Sequence, residues 1–456
     1  MSSMAESIGL AAPAAPSFSG RLVRPIERDH DDCRAVYDGP IETRPAAVAS
    51  CHDVEDVVEA VRVARMFDLA ISVRGGNNNV HCRAATHHGL IVDLSPMRRI
   101  HVDARARRAR AQAGVRWREF NRQTQLHGLA TTGGIVGRMG IAGLTLGGGP
   151  GWLMPMHGLA LDNLRAADMV LADGRVVRAA ADENPDLFWA IRGGGGNFGV
   201  AVALEYTLHE VGPMIAGGVV VHPLEQGLDV LRFFRETCAS LPDEGMLVAV
   251  LQTAPDESNA KTVGICGGHC GPVENGRTVF QSLKTFGPPA IDLMGAMPYV
   301  ALDSMLAPAF PTAARTHCRT QFLTDLDDDA IRTLIEACAR CPSPMSRIVI
   351  EHVHGAVTRV PVEATACQMR LAGFNVLVAS QWMDRGESDR NVRWARETCA
   401  SLAPFAARRR SGTCADGNDS DPVQIAYGPN LARLQAIKAK YDPGNLFRPS
   451  VNILPA

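Results

Sequence analysis

The chain has 456 residues, with Lys+Arg 46 against Asp+Glu 48 and a formal charge of -2. Hydrophobic residues make up 46% and charged residues 21%, which is enough apolar mass for a sizeable core and excludes wholesale disorder. The near-neutral balance argues against a nucleic-acid binder held by phosphate contacts, and no apolar run approaches the roughly 18 residues of a membrane span.

Residues 1–20, rich in Ala, Ser and Pro, lack the charged and apolar regions of a secretory signal and read as a disordered tail. Twelve cysteines are too sparse for a disulfide scaffold, so free thiols and a cytoplasmic location are expected. Cys338 and Cys341 form one C-x-x-C, and Cys266 and Cys270 flank His269, but no second pair completes a zinc pattern, and no metal is expected. From Asp53 to Asp68 the apolar spacing predicts a helix capped by Asp53. Strands follow at Ala70–Val73, Leu90–Leu94 and Arg107–Gln112. The six arginines between Arg98 and Arg110 read as an exposed strand face. Trp117–Leu126 is a helix, and Asp186–Ile191 is a shorter one. Val200 to Leu208 alternates as a strand. Beyond Val211-Gly212-Pro213 the texture changes to strands (Met246–Gln252, Ser346–Glu351, Asn375–Gln381) and helices (Gly227–Ser240, Asp328–Ala339, Ser388–Leu402). Leu431–Tyr441 closes the chain as a helix stopped by Asp442-Pro443-Gly444.

Between Gly133 and Gly151 there are nine glycines in nineteen positions. Glycine lets backbone approach a ligand closely, and successive N–H groups form anion-binding nests. Such clusters suit a diphosphate threaded between loops; the alternative is a run of tight turns. No P-loop is present. Gly194, Gly196 and Gly199 match G-x-G-x-x-G, but a helix precedes and a strand follows them. That inverts the Rossmann order and excludes that fold.

The string from Gly140 to Leu153, GIAGLTLGGGPGWL, resembles the flavin loop of berberine bridge enzyme-like FAD-linked oxidases. Arg44-Pro45-Ala46, Val73-Arg74-Gly75-Gly76, Gly158 to Leu164, Asp182 to Trp189, Arg192 to Gly199, Tyr427 to Asn430 and Lys440 to Phe447 match in the family's order. The resemblance spans residues 40–454. It implies an α+β chain with the vanillyl-alcohol oxidase/p-cresol methylhydroxylase type of FAD-binding fold. The FAD domain would comprise residues 21–212 and a return segment, 425–456. A substrate domain of antiparallel sheet and helices, 213–424, would be inserted between them. Arg74, Gly75, Gly76, Asn77, Asn78 and Asn79 would cradle the pyrophosphate. Gly133, Gly134, Gly137, Gly140, Gly143 and Gly148 would line the adenine-diphosphate channel, with Val200 and Asn452 closing on the cofactor.

Two departures from the family bear on chemistry. Asn78 stands where the flavin-linking histidine is usual, and an amide is no nucleophile. His81 is three residues away, and the loop after Thr131-Thr132-Gly133 offers no cysteine. FAD is therefore expected without a covalent bond. By count, Ser411 and Thr413 stand where the family has a Tyr-x-Asn strand, and a serine hydroxyl is a poor base without a partner.

The resemblance implies hydride transfer from a C–H bond to the flavin, with oxygen as electron acceptor. Glu351, His352 and His354 match the family's Glu-His strand facing the substrate. Alternation puts Glu351 and Val353 on one face and the two histidines on the other. Gln381 on the neighbouring strand and His157, replacing a usual tyrosine, complete the candidate catalytic set. Each has the alternative of an ordinary hydrogen-bonded sheet or loop residue. The expected function is an FAD-dependent oxidase or dehydrogenase of a small metabolite, in secondary metabolism. The alternatives are a redox-silent cyclase, isomerase or lyase on the same scaffold, and a non-catalytic binding protein. Expected partners are a small-molecule substrate and molecular oxygen, without nucleic acid or membrane; a homodimer is the assembly considered.

Overall fold

The Asp53 cap forms as its sequence suggests: its carboxylate accepts from Asp56 N–H at 2.9 Å and opens the helix Val54–Met66. The structure, a computed structural model, describes residues 18–23, 45–76, 88–256, 258–307, 314–406 and 422–456. Phe18 to Gly20, expected within the tail, instead pack on this helix. Asp56 Oδ1 accepts from Ser19 N–H at 2.7 Å and Gly20 N–H at 3.2 Å, so an ordered anchor begins before residue 21.

Strands β1 (Arg21–Val23), β2 (Ala47–Ser50), β3 (Ile71–Arg74) and β4 (Leu90–Asp93) form a sheet in the order β1-β2-β4-β3. Strands β2 and β3 run parallel to β4, and that pairing brings the end of β3 beside Asp93. Next along the chain come β5 (Ile100–Asp103), β6 (Arg108–Gln112), β7 (Leu129–Ala130), β8 (Leu164–Val170), β9 (Val176–Ala180), β10 (Val200–Thr207) and β11 (His209–Glu210). Five of these make an antiparallel sheet ordered β5-β6-β10-β8-β9, while β7 pairs with β11. The arginine-rich stretch behaves as a strand face. Ala109 and Ala111 are buried, Arg108 and Arg110 are exposed, and Arg110 pairs with Asp168 across the sheet.

The third layer is an antiparallel sheet of β12 (Met214–Pro223), β13 (Gly245–Thr253), β14 (Lys261–His269), β15 (Ile291–Asp292), β16 (Gly295–Pro298), β17 (Arg315–Leu323), β18 (Arg347–Val353) and β19 (Gly373–Trp382). Its order is β15-β12-β14-β13-β18-β19-β17, with β16 also on β12. Period-two alternation divides its side chains. Leu247, Ala249, Ile348, Ile350, Val376 and Val378 pack under the helices Gly227–Ala239, Asp328–Ala339 and Ser388–Ser401. Met246, Val248, Val250, Val349 and Val353 face the other way and join Trp152, Leu153, Met154, Leu159 and Leu161 in a separate core. That core is the seam between the glycine-rich part and the large sheet.

The C-terminal segment returns to the first part. Leu434, Phe447 and Ile453 are buried in the same core as Val57, Leu90 and Val200. The Lys438 ammonium, fully buried, donates to Asp442 Oδ2 at 2.6 Å, Asn197 O at 2.7 Å and Phe447 O at 2.9 Å. We propose the division 21–212 plus 425–456, and 213–424: one core lies almost wholly in the first part, a second wholly in the other, and the third is the seam that joins them. Ala366 sits in the first core, on a segment that straps the inserted part to the other.

Candidate active site

The first glycine segment ends β3. Arg74 Nη2 donates to Asp93 Oδ2 at 2.6 Å, and Ser95 Oγ donates to Gly75 O at 3.2 Å. The Arg74 guanidinium is thus engaged at the base of the loop, which it holds in place. Gly76 meets Gly140 backbone to backbone. A Cβ on Gly76 would lie 2.2 Å from Gly140 N, and one on Gly140 would lie 2.4 Å from Gly76 N. Neither position admits another residue without separating the loops. Gly133 lies against the Trp117 ring and Gly134 against Met139 Sδ, while Gly137 O accepts from Arg118 N–H at 2.6 Å. Gly143 faces open space, and Gly148 adopts φ 138°, with its missing Cβ pointing toward Cys367 Sγ. Asn77, Asn78, Asn79 and His81, like Ser411 and Thr413, lie outside the described residues.

Behind these loops is a polar junction. Asn163 Nδ2 donates to His157 O and Leu159 O, each at 2.9 Å, and reaches Thr132 Oγ1 at 3.4 Å. Asn163 Oδ1 lies 2.6 Å from His209 Nε2. The His157 ring stacks on His209 with centroids 3.7 Å apart and planes 5° apart. Burial, then the neighbouring His209, push His157 down to about 4, so it is neutral near pH 7.

On the seam face of the large sheet, register aligns Cys266, Val248, Glu351, Asn375 and Phe322 across β14, β13, β18, β19 and β17. Glu351 is buried among these apolar neighbours, and Asn375 Nδ2 donates to its Oε2 at 2.7 Å. Burial raises the Glu351 carboxyl above the ordinary value, and the Asn375 hydrogen bond opposes that rise. Gln381 shares this face but lies six residues beyond Asn375, roughly 20 Å along the strand. Its Nε2 donates to Thr316 Oγ1 at 3.3 Å. One small substrate does not span Glu351 and Gln381. His352 and His354 point to the opposite face, where they stack at 4.3 Å and His352 also meets Phe374. Burial pushes His352 down to about 3. The structure therefore brings Glu351, and neither histidine, to the seam. The end of β18 touches the glycine-rich part directly, since a Cβ on Gly355 would lie 2.3 Å from Pro155 O.

Val200 is wholly buried in the first core and pairs with Val170, so its side chain is packing. Asn452 Oδ1 is buried with no partner among the described residues, next to Ile453 N–H, which donates to Asn197 Oδ1 at 2.9 Å. Three groups escaped sequence reading. Asn375 needed the β18–β19 register to be seen opposite Glu351. Arg370 and Asp162, 208 positions apart, form a buried two-bond ion pair at 2.6 and 2.8 Å that ties the strap to the segment after Gly158. The Asn163–His209 contact likewise joins distant positions.

These residues fit FAD. Two glycine loops meet backbone to backbone, and Gly143 and Gly147 leave bare helix backbone facing open space. Thr131 Oγ1, Trp152 Nε1, His157 Nε2, Asn375 Oδ1, Gln381 Oε1 and Asn452 Oδ1 are buried without a partner among the described residues. Buried polar atoms normally find partners, so the orphaned groups in and next to the glycine segments (Thr131, Trp152, His157) and beside Glu351 (Asn375) suit a polar ligand.

Comparison with known proteins agrees. Residues 45–180 match the family model described as FAD binding domain, and 415–453 match that described as berberine and berberine like. The chain is 30% identical over 463 residues to (R)-6-hydroxynicotine oxidase of Paenarthrobacter nicotinovorans, covering 98% of each chain. An FAD-linked oxidoreductase of Dictyostelium discoideum is 28% identical over 414 residues, covering 90% of this chain and 89% of that one. Among solved structures, 6-hydroxy-D-nicotine oxidase from Arthrobacter nicotinovorans superposes with a TM-score of 0.87 at 27% identity, covering 98% of this chain and 100% of that one. Physcomitrella patens BBE-like 1 shares the fold, with a TM-score of 0.86 at 20% identity over 96% of this chain and 97% of that one. The architecture is the vanillyl-alcohol oxidase/p-cresol methylhydroxylase type of FAD-binding fold, and the chain belongs to the berberine bridge enzyme-like family of FAD-linked oxidoreductases.

Proposed function

We propose that this enzyme oxidises a C–H bond of a small metabolite, using FAD held without a covalent bond, and that Glu351 takes the accompanying proton from a neighbouring N–H or O–H. The carrying observation is the Glu351–Asn375 pair, buried on the sheet face that meets the glycine loops. When bound, FAD supplies a hydride acceptor that molecular oxygen reoxidises. Gly75, Gly76, Gly133, Gly134, Gly137, Gly140, Gly143 and Gly148 would hold its diphosphate and adenosine by backbone contacts, with Asn452 as a further donor or acceptor. The apolar row beside Glu351 excludes water and shifts the carboxyl toward neutral pH, where a base works best. Asn375 N–H fixes the orientation of the carboxyl. Asn78 in place of the family histidine supports the non-covalent reading. A role in secondary metabolism rests on the family alone.

The same loss of the linking histidine and of the family tyrosine favours a second reading, a redox-silent cyclase, isomerase or lyase. Anaerobic mixing with candidate substrates separates the two. The kinship with (R)-6-hydroxynicotine oxidase makes hydroxylated N-heterocycles with a cyclic amine the first panel. Bleaching of the flavin absorbance, followed by oxygen uptake on admitting air, is the expected result. Turnover with no bleaching and no oxygen uptake would overturn it.

A further inference from the structure

We infer that His209, acting through Asn163, positions the Thr131–Gly133 loop against the flavin, and that protonation of the stacked His157–His209 pair releases that loop. This rests on the reading that the loop borders FAD, and it concerns residues that the hydride chemistry does not use.

The orientation of Asn163 leaves one choice. Its Nδ2 faces three acceptors, His157 O, Leu159 O and Thr132 Oγ1, so its Oδ1 is the atom turned to His209. His209 must then carry its proton on Nε2 and donate it. Thr132 Oγ1 in turn donates to Gly158 O at 2.8 Å, and a Cβ on Gly151 would lie 1.6 Å from Gly133 O. Movement at Thr132 is thereby transmitted to both glycine segments.

The stack is suited to neutral rings only. Two imidazolium cations 3.7 Å apart would repel, and His157 Nε2 is buried without a partner among the described residues. The charged groups around the pair offer no relief. Arg107, which bears on His209, is cationic and already paired with Glu210. Asp162, beside Gly158, is held by Arg370. Burial lowers both histidines, with His157 at about 4. Because these folded-state values lie below the ordinary histidine value, the unfolded chain binds more protons in that interval. The contribution of the pair to stability is complete above the ordinary value and is lost as pH falls toward about 4.

The test reads flavin fluorescence of the purified holoenzyme in solution from pH 7.5 to about 3.5, below the His157 value of about 4, with far-UV circular dichroism alongside. Dequenching scores an opened pocket whether or not the flavin departs. Wild type is expected to brighten reversibly on acidification while its secondary structure persists. His209→Phe keeps a ring to stack but removes the donor. It should weaken FAD binding at pH 7.5 about tenfold, the effect of one hydrogen bond, and abolish the acid response. His209→Gln can still donate to Asn163. It should recover wild-type affinity at pH 7.5 and yet stay dark on acidification. A wild-type profile in His209→Gln, or no acid response in wild type, overturns the inference. Wild type that takes up no FAD at pH 7.5 defeats the cofactor reading itself, and this inference with it, before pH is varied.

Discussion

Asn375 lies directly opposite Glu351 across β19 and β18 and donates to its carboxylate at 2.7 Å, on the one sheet face that meets the glycine loops. Their coupling makes the pair, rather than either residue, the unit that sets the state of the acid. Glu351→Gln keeps the shape and the Asn375 contact but cannot take a proton. Turnover should fall about 100- to 10,000-fold, while FAD binding and thermal stability stay near wild type. Stopped-flow measurement of the reductive half-reaction reads the first, and the visible spectrum and a melt read the others.

Asn375→Ala removes the interaction that opposes the raised value of Glu351. The acid limb of the pH–rate profile should move to higher pH, because a base must be ionised to act. The stability effect has the opposite sense. A carboxyl raised in the folded state favours folding below its ordinary value, and that contribution fades as pH rises through the folded value. Paired pH–rate and pH–melting curves of wild type and variant check both signs.

Gly140→Ala places a methyl 2.4 Å from Gly76 N. Overpacking of this kind costs about 1–3 kcal/mol, which corresponds to roughly tenfold to hundredfold weaker FAD binding if the loops part. The ratio of flavin to protein absorbance after purification reports it, with the melt of the apoprotein as the control for folding.

How far the sequence carried this depends on the range of each interaction. The Val54–Met66 helix and its Asp53 cap were legible because spacing and cap lie within one short segment. Glu351 and the two histidines separated onto opposite faces because the strand period is two. Which face meets the flavin loops was not legible, since both are apolar: Ile348 and Ile350 on one, Val349 and Val353 on the other. Gln381 looked like a partner of Glu351 because their strands are neighbours, but register places it at the far end. β8 and β9 were not legible, because their pairing with each other and with β10 is what makes them strands. The His157–His209 stack joins positions that no local pattern links.

The buried ion pair Lys438–Asp442 anchors the return segment, and each partner is fully buried. Lys438→Met would leave Asp442 charged without its cation and strip donors from Asn197 O and Phe447 O. A loss of about 3–5 kcal/mol is expected. Urea unfolding at neutral pH measures it. Arg62→Ala, which breaks the more exposed pair with Glu59, should cost less than about 1 kcal/mol.

The most direct test of the central claim is the visible spectrum of the purified protein, followed by acid precipitation and the spectrum of the supernatant. A yellow protein that releases intact FAD into the supernatant is the predicted result. Yellow colour retained in the pellet would contradict the non-covalent flavin and point to His81, and a colourless protein that FAD does not reconstitute would contradict the flavoenzyme account as a whole.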